Sequence, residues 1–357
     1  MKQFSTISIT DPTYTPNLAP TRLDRFLLQF IRDPRDLPFV YLTLKISLTL
    51  PVLAILLYVP WIPNWAWGTA AALYLVLNNF IFKGPFGLML HCTSHRTFFK
   101  KDFQILNHYL PWVLGPLFGQ TPETYYSHHI GMHHPENNLP DDESSTMGYQ
   151  RDSIKSFGVY LGLFFFTGVY NLARYFVRKN RKKLLIRSVR GELIFIFMCI
   201  GLSFVNFWAT FVVFILPFVI SRIIMMVGNF AQHAFIDAED PGNEYRNSIT
   251  CINTKYNHKC WNDGYHISHH IKPNMHWTEH PTYFLKTIHE YHSNDAIIFA
   301  NIHFLHVFAY LMTKRYDLLA KHFVDTGNRF ANDEEVIIFL KSRTQRIPEA
   351  AMQAAAA

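Results

Sequence analysis

The stretch RKNRKKLLIRSVR, Arg178 to Arg190, holds seven Lys and Arg and no acidic residue, and its placement decides the fold. An apolar run, Phe157 to Val177, leads into it, and a second, Leu193 to Phe207, follows it. Working outward, Phe39 to Tyr58 and Ala66 to Phe82 form an earlier pair of runs, joined by VPWIPNW, and Ala209 to Met226 is the last. At ~1.5 Å per helical residue, runs of about 20 residues cross a hydrocarbon layer of ~30 Å. Short basic loops stay on the cytoplasmic face. If Phe157 to Val177 crossed the bilayer, parity would put the basic segment opposite the histidine-rich loops. That run is therefore expected to lie in the interface, anchored by Arg174 and its aromatics. Phe103 to Phe118, short and interrupted by Pro111 and Pro116, is read the same way. The expected fold is an all-α integral membrane protein. Four transmembrane helices form two hairpins, the second broken near Asn206, with interfacial helices and a cytoplasmic helical cap. Both termini are expected on the cytoplasmic side.

Composition agrees. The chain has 357 residues, 49% hydrophobic and 16% aromatic, but only 17% charged. A soluble domain carries nearer a quarter of charged residues, at about 25%. The net charge of +7 is modest and concentrated in a membrane-flanking loop, so a lipid surface is the expected partner and nucleic acid is not. Cys92, Cys199, Cys251 and Cys260 show no C-x-x-C spacing, which argues against a zinc ribbon or a disulfide framework. The polar, Pro-punctuated start has no apolar stretch behind a basic one and does not read as a signal peptide. The expected organisation is a cytoplasmic segment over 1–38, one membrane-embedded domain with its cap over 39–350, and an alanine-rich tail over 351–357 that is expected to fray.

Histidines gather in four places. HCTSH sets His91 four residues before His95. YYSHHIGMHHPENN holds His128, His129, His133 and His134. NFAQH sets Asn229 four before His233, and HISHH gives His266, His269 and His270. On a helix, residues three and four apart share a face, so each group can direct two or three imidazoles at one spot. One H-x-x-x-H is commonly a pair of surface histidines. Here every group follows a membrane run and falls on one expected side, which is the convergence a metal site needs. No thiolate stands at ligand spacing, so a structural zinc cluster is disfavoured. The nine imidazoles besides His128 exceed the roughly four to six positions of one ion, which implies two metals. All-nitrogen ligation with open positions suits iron that activates oxygen, although ligand type alone also admits zinc. His303 and His306, on the apolar stretch Ile297 to Met312, are expected to pack in the cap. Glu136, Asp141, Asp263 and Glu279 are candidates for orienting the imidazoles, as is His128.

These motifs resemble the histidine boxes of the membrane fatty-acid desaturase superfamily. They stand here as His91-Cys-Thr-Ser-His95, His129-Ile-Gly-Met-His133-His134 and His266-Ile-Ser-His269-His270. The HHIKPNMHW stretch after the third box also fits, and Asn229-Phe-Ala-Gln-His233 is similar to the added Asn-x-x-x-His of stearoyl-CoA desaturases. The resemblance implies that nine histidines (His91, His95, His129, His133, His134, His233, His266, His269 and His270) hold two iron ions on the cytoplasmic side. It further implies that Asn229 holds a metal-bound water, and that oxygen is a co-substrate. An acyl-lipid or acyl-thioester would be desaturated, with electrons from a separate ferredoxin, rubredoxin or cytochrome b5. NFAQH and the second box also resemble alkane monooxygenases, so a hydroxylase or ketolase acting on alkane, carotenoid or sphingolipid is the nearest alternative. A metal transporter or sensor is more distant, because its ionisable groups belong deep within the spans. No G-x-G-x-x-G opens a helix, and no H-P-G-G suggests a fused haem domain.

Overall fold

The computed structural model describes residues 7–356; the first six residues of the expected N-terminal segment and the last residue of the tail lie outside the described residues. The chain is mostly helical. Four helical stretches are long and apolar enough to cross a membrane: α1 (Pro34–Leu57), α2 (Asn64–His95), α3 (Ile154–Arg178) and α4 (Lys182–Gln232). Helices α1 and α2 cover the first expected hairpin. Helix α2 continues past Phe82 to His95, so the first histidine pair stands on its last turns.

Helix α4 occupies the place of the second hairpin as one stretch, with Asn206 at φ −158 and ψ 105 inside it. The Asn206 side chain accepts a bond from the Ala209 amide, capping the second arm where the sequence places its break. Helix α3 also has spanning length, so the parity of the basic segment, and not length, separates a crossing from an interfacial placement. Large apolar side chains are exposed along these helices, among them Leu48, Val52 and Ile55 on α1 and Phe166 and Tyr170 on α3. Phe204 on α4 is 88% exposed. Such surfaces are costly in water and ordinary in lipid.

The chain forms two compact units that alternate along the sequence. The helical unit comprises Tyr14–Ile130 and Phe176–Ile223. In it, the segment expected in the interface between Phe103 and Phe118 is a chain of short turns. A tight helix over Lys101–His108 leads to a wide π turn at Leu110–Leu114. The carbonyls at its end are satisfied from the spans: Leu117 O accepts from Tyr74 Oη at 3.1 Å and Asn78 Nδ2 at 2.8 Å, and Phe118 O accepts from Lys83 Nζ at 3.2 Å. Lys83 is buried and also donates to Ser221 Oγ at 2.8 Å. Gly119 follows at φ +74, and a Cβ there would lie 2.2 Å from the Phe218 backbone, so no other residue fits.

The mixed unit comprises the chain up to Thr13, Gly131–Tyr175 and the chain from Ile224 onward. It corrects the all-helical expectation. Strands β1 (Ile249–Ile252) and β2 (Ile297–Ala300) pair in parallel, with Ile249 opposite Ile297 and Cys251 opposite Phe299. Helix α5 (His266–Ile271) carries the third box. The apolar stretch from Ile297 is thus not one helix. Asp295 and Asn301 adopt left-handed backbone on either side of the Ile-Ile-Phe-Ala strand, and α6 (Phe304–Met312) begins only afterwards. Around the sheet, Phe235, Val307, Leu311 and Leu340 form a closed core. Two polar ties hold the periphery. Arg151, fully buried, donates to the carbonyls of Thr146, Met147, Tyr149, Ala234, Arg343 and Gln345. Asp11 accepts from the Asn253 amide at 2.7 Å and from Tyr265 Oη at 2.7 Å, latching the N-terminal segment onto the residue before the third box.

Candidate metal centre

The first box lies in the helical unit, on the regular final turns of α2. His91 and His95, four apart, place their ring centroids 5.2 Å from each other. His129 joins them: its ring is 4.5 Å from that of His91, and its Nε2 is 3.0 Å from His95 Nε2. Tyr125, one turn earlier, stacks on His129 at 5.4 Å.

In the mixed unit, His133, His233, His266 and His270 form a buried quartet whose ligand atoms all lie within 4.8 Å of one another. Nε2 of His266 stands 3.2 Å from Nε2 of His233 and 3.1 Å from Nε2 of His270. Beside the quartet, His134 and His269 bring their Nε2 atoms to 2.9 Å.

This grouping corrects the expectation that each box aims at one spot. His129 and His133 are the two ends of a π turn, whose i→i+5 bonding replaces the α pitch that would stack them, and they take different partners. On α5, His266 and His270 are four apart and lie ~40° from each other around the axis, whereas His269 and His270 are ~100° apart. His266 and His270 therefore join the quartet, and His269 turns to His134.

Two of the quartet are held from behind. His133 Nδ1 is 2.7 Å from Asp142 Oδ2, and His233 Nδ1 is 2.9 Å from Asn247 O. A carboxylate and a carbonyl can only accept, so both Nδ1 atoms carry the proton and both Nε2 lone pairs point into the quartet. Burial, with His133 beside it, pushes His233 down to about 3, and burial with its histidine neighbours holds His270 well below the usual imidazole range. Those two imidazoles, of His233 and His270, are thus neutral at physiological pH, the form a metal requires. Nitrogens ~2.1 Å from a common ion stand about 3.0–3.4 Å apart along the edges of its coordination shell. The observed 3.1 and 3.2 Å lie in that range, and the donor set fits a metal of imidazole affinity.

Among the other candidates, Asn229 stands one turn before His233 and donates its amide to Tyr160 Oη at 2.7 Å and Ser144 O at 2.9 Å. Both amide protons are used there. Glu136 accepts from Tyr175 Oη, and Asp263 accepts from Tyr256 Oη at 3.1 Å. The carboxylate that holds His133 is Asp142, which the sequence reading passed over for its neighbour Asp141. His128 stands outside the imidazole groups. His303 caps α6 and stacks on Tyr256 at 4.7 Å, a packing role as expected. The signal for Asp142 was the Asn137-Asn138 pair. Both residues adopt left-handed backbone, at φ 48 and φ 60, and fold the chain back so that a carboxylate four residues on reaches the helix it left.

Residues 83–300 match the family described as Fatty acid desaturase, a span that includes every histidine named above as a candidate ligand. No curated protein matches the chain, and no solved structure does.

Proposed function

The chain belongs to the fatty acid desaturase family, and from that premise we propose that it is an oxygen-dependent di-iron desaturase acting on an acyl chain carried by a lipid or a thioester. The observation that carries this reading is the buried quartet, with its edge-to-edge nitrogens and back-bonded Nδ1 atoms. Nine histidines would hold two irons: His133, His233, His266 and His270, with His91, His95, His129, His134 and His269 as the remaining ligands. When bound, the irons supply the means to take up oxygen and an oxidant strong enough to remove hydrogen from an unactivated methylene.

The chain's own residues supply the rest. Asp142 and the Asn247 carbonyl fix the tautomers of His133 and His233 and keep their Nε2 atoms deprotonated. Burial of the quartet excludes water from the oxidising site. Asn229, with both amide protons committed, has only Oδ1 left to hold a metal-bound water. The overall change removes two hydrogens from adjacent carbons and, with two electrons and two protons from outside, reduces oxygen to two waters. The electrons would come from a ferredoxin, rubredoxin or cytochrome b5, and the exposed Lys255, Lys259 and Lys272 near the third box suit an acidic donor.

The long apolar helices and the family support membrane association. We place the boxes, both termini and Arg178 to Arg190 on the cytoplasmic side, with α3 in the interface. Labelling of a cysteine at Lys182 from outside intact cells would overturn that placement. The reaction is tested by expression in a host of known lipid content, followed by mass spectrometry of its fatty acids. A new double bond that disappears in His266→Ala supports the desaturase. A new hydroxyl group that depends on His266 would assign the chain to the hydroxylase alternative. An unchanged profile with donor present would refute both.

A further inference from the structure

The quartet draws His133 and His233 from segments a hundred residues apart in sequence. Each is oriented by a bond to its Nδ1, and those two bonds end on one buried polar network. Asn138 and Asn247 are its centre, both with no exposed surface. Asn138 Nδ2 donates to Asn247 Oδ1 at 2.7 Å, and Asn247 Nδ2 donates to Asn137 O at 2.7 Å. The Asn138 backbone amide donates to the same Asp142 oxygen that receives His133, at 3.1 Å. Asn138 Oδ1 accepts from the Thr146 amide at 2.8 Å, and Thr146 Oγ1 donates to the His233 carbonyl at 2.7 Å. The Asn247 carbonyl is itself the acceptor for His233 Nδ1.

We propose that the Asn138–Asn247 side-chain pair is a positioning device that sets His133 and His233 as one geometry; this rests on the metal-site reading above. The reasoning is one of constraint. The Asp142 carboxylate is placed by the left-handed turn at Asn137-Asn138, and the Asn247 carbonyl by the strand that follows it. Without the amide pair these two backbones would settle independently, each carrying its imidazole with it. The amide bond ties the acceptor of one ligand to the acceptor of the other. The pair is the direct side-chain link between the two sides, and two weaker routes run beside it, Asn247 Nδ2 to Asn137 O and Asn138 through Thr146 to the His233 carbonyl. The low polarity around the network makes each bond strong and an unmade one costly. Asparagine is suited on both counts: it tolerates the left-handed backbone at Asn138, and its amide both donates and accepts.

The test is a double-mutant cycle on the purified full-length protein, read by metal content after chelator challenge and by the visible absorption of the cobalt(II)-loaded protein. Asn138→Ala and Asn247→Ala should each lower metal affinity by ~10–100-fold and alter the cobalt bands. The double variant should lose well under the product of the two single losses, because breaking the pair once already uncouples both ligands. Two independent losses would instead multiply, to ~100–10,000-fold, and would overturn the proposal. Asn138→Asp keeps the acceptor for the Thr146 amide and so preserves the turn, but it cannot donate to Asn247. It should match Asn138→Ala in the cobalt spectrum, measured where the variant is folded, and melt below the wild type because a buried carboxylate then faces Asn247 Oδ1. An unchanged spectrum in this variant also overturns the proposal. His266→Ala is the reference. If it changes metal binding and the asparagine variants do not, the positioning role alone fails. If it changes nothing either, the metal reading fails and this inference with it.

Discussion

Asp142→Asn removes a charge while keeping shape, and the structure states what it must disturb. Oδ2 of Asp142 accepts from His133 Nδ1 at 2.7 Å and from the Asn138 amide at 3.1 Å; Oδ1 accepts from the Ser144 amide at 2.8 Å and from Ser144 Oγ at 2.6 Å. Three of these partners are N–H groups that only donate, and only the Ser144 hydroxyl can turn to accept, so an amide NH2 meets an N–H on either side. With its nitrogen toward His133 it meets two N–H groups. With its nitrogen toward Ser144 it spares His133 but leaves the Ser144 amide unpaired, at ~1–3 kcal/mol. The second orientation is the cheaper one, and in it His133 keeps a neutral hydrogen bond in place of a charge-assisted one about twice as strong. The imidazole keeps its tautomer, since an amide oxygen also only accepts, but it becomes a poorer donor to metal. We expect a fall of ~10–100-fold in affinity at the quartet, about 1.4–2.7 kcal/mol. The assay is competition with a chelator of known affinity, followed by metal analysis. Asp141→Asn, made in parallel, leaves the Asp142–His133 bond in place and should lower affinity less than Asp142→Asn does. Wild-type affinity in Asp142→Asn, with an unchanged melting temperature, would refute the reasoning.

Arg151→Met should destabilise the protein by ~1–3 kcal/mol for each carbonyl left unpaired, because Tyr149 O, Ala234 O and Gln345 O lose the guanidinium, whereas Thr146 O, Met147 O and Arg343 O keep a backbone donor. Arg151→Lys should restore only part of this in thermal unfolding. His303 sits against Tyr256, with His306 and Asp263 nearby, and burial lowers it to about 4 from an ordinary 6.5. The unfolded chain therefore binds its proton first, so its contribution is complete above pH 6.5 and is lost as pH falls toward 4. His303→Gln should flatten the stability profile across that window and leave it unchanged above. Turnover should require an added reductant chain; many cycles with oxygen and substrate alone would contradict this.

Much of the site was legible because its signals are local. Histidines four apart on a helix near a membrane run announce themselves through spacing, and so did the break at Asn206. What escaped depends on tertiary approach. Whether His269 faces His134 or His270 is decided by ~100° of rotation about α5, which the box pattern does not record. The choice between Asp141 and Asp142 turns on two left-handed asparagines and not on residue type. The strand pair escaped because Ile-Ile-Phe-Ala suits a buried helix as well as a buried strand over so few residues. The basic segment fixed an expected side for α3 through a charge rule, while the helix itself has spanning length.

The latch at Asp11 has a consequence for the order in which the molecule is made. Its carboxylate meets Tyr265, 254 residues later in the chain. At roughly 5–20 residues per second, a ribosome needs about 13–50 s to deliver Tyr265 after Asp11 has been synthesised. Through that interval Asp11 lacks Asn253 and Tyr265, while the whole of Tyr14–Ile130 has been synthesised and can begin to pack. Assembly of the third box is therefore a late event in biogenesis, completed when Tyr265 closes on Asp11. A chain stalled or cleaved before Tyr265 would carry six of the nine candidate ligands, His91, His95, His129, His133, His134 and His233, with nothing to complete their set.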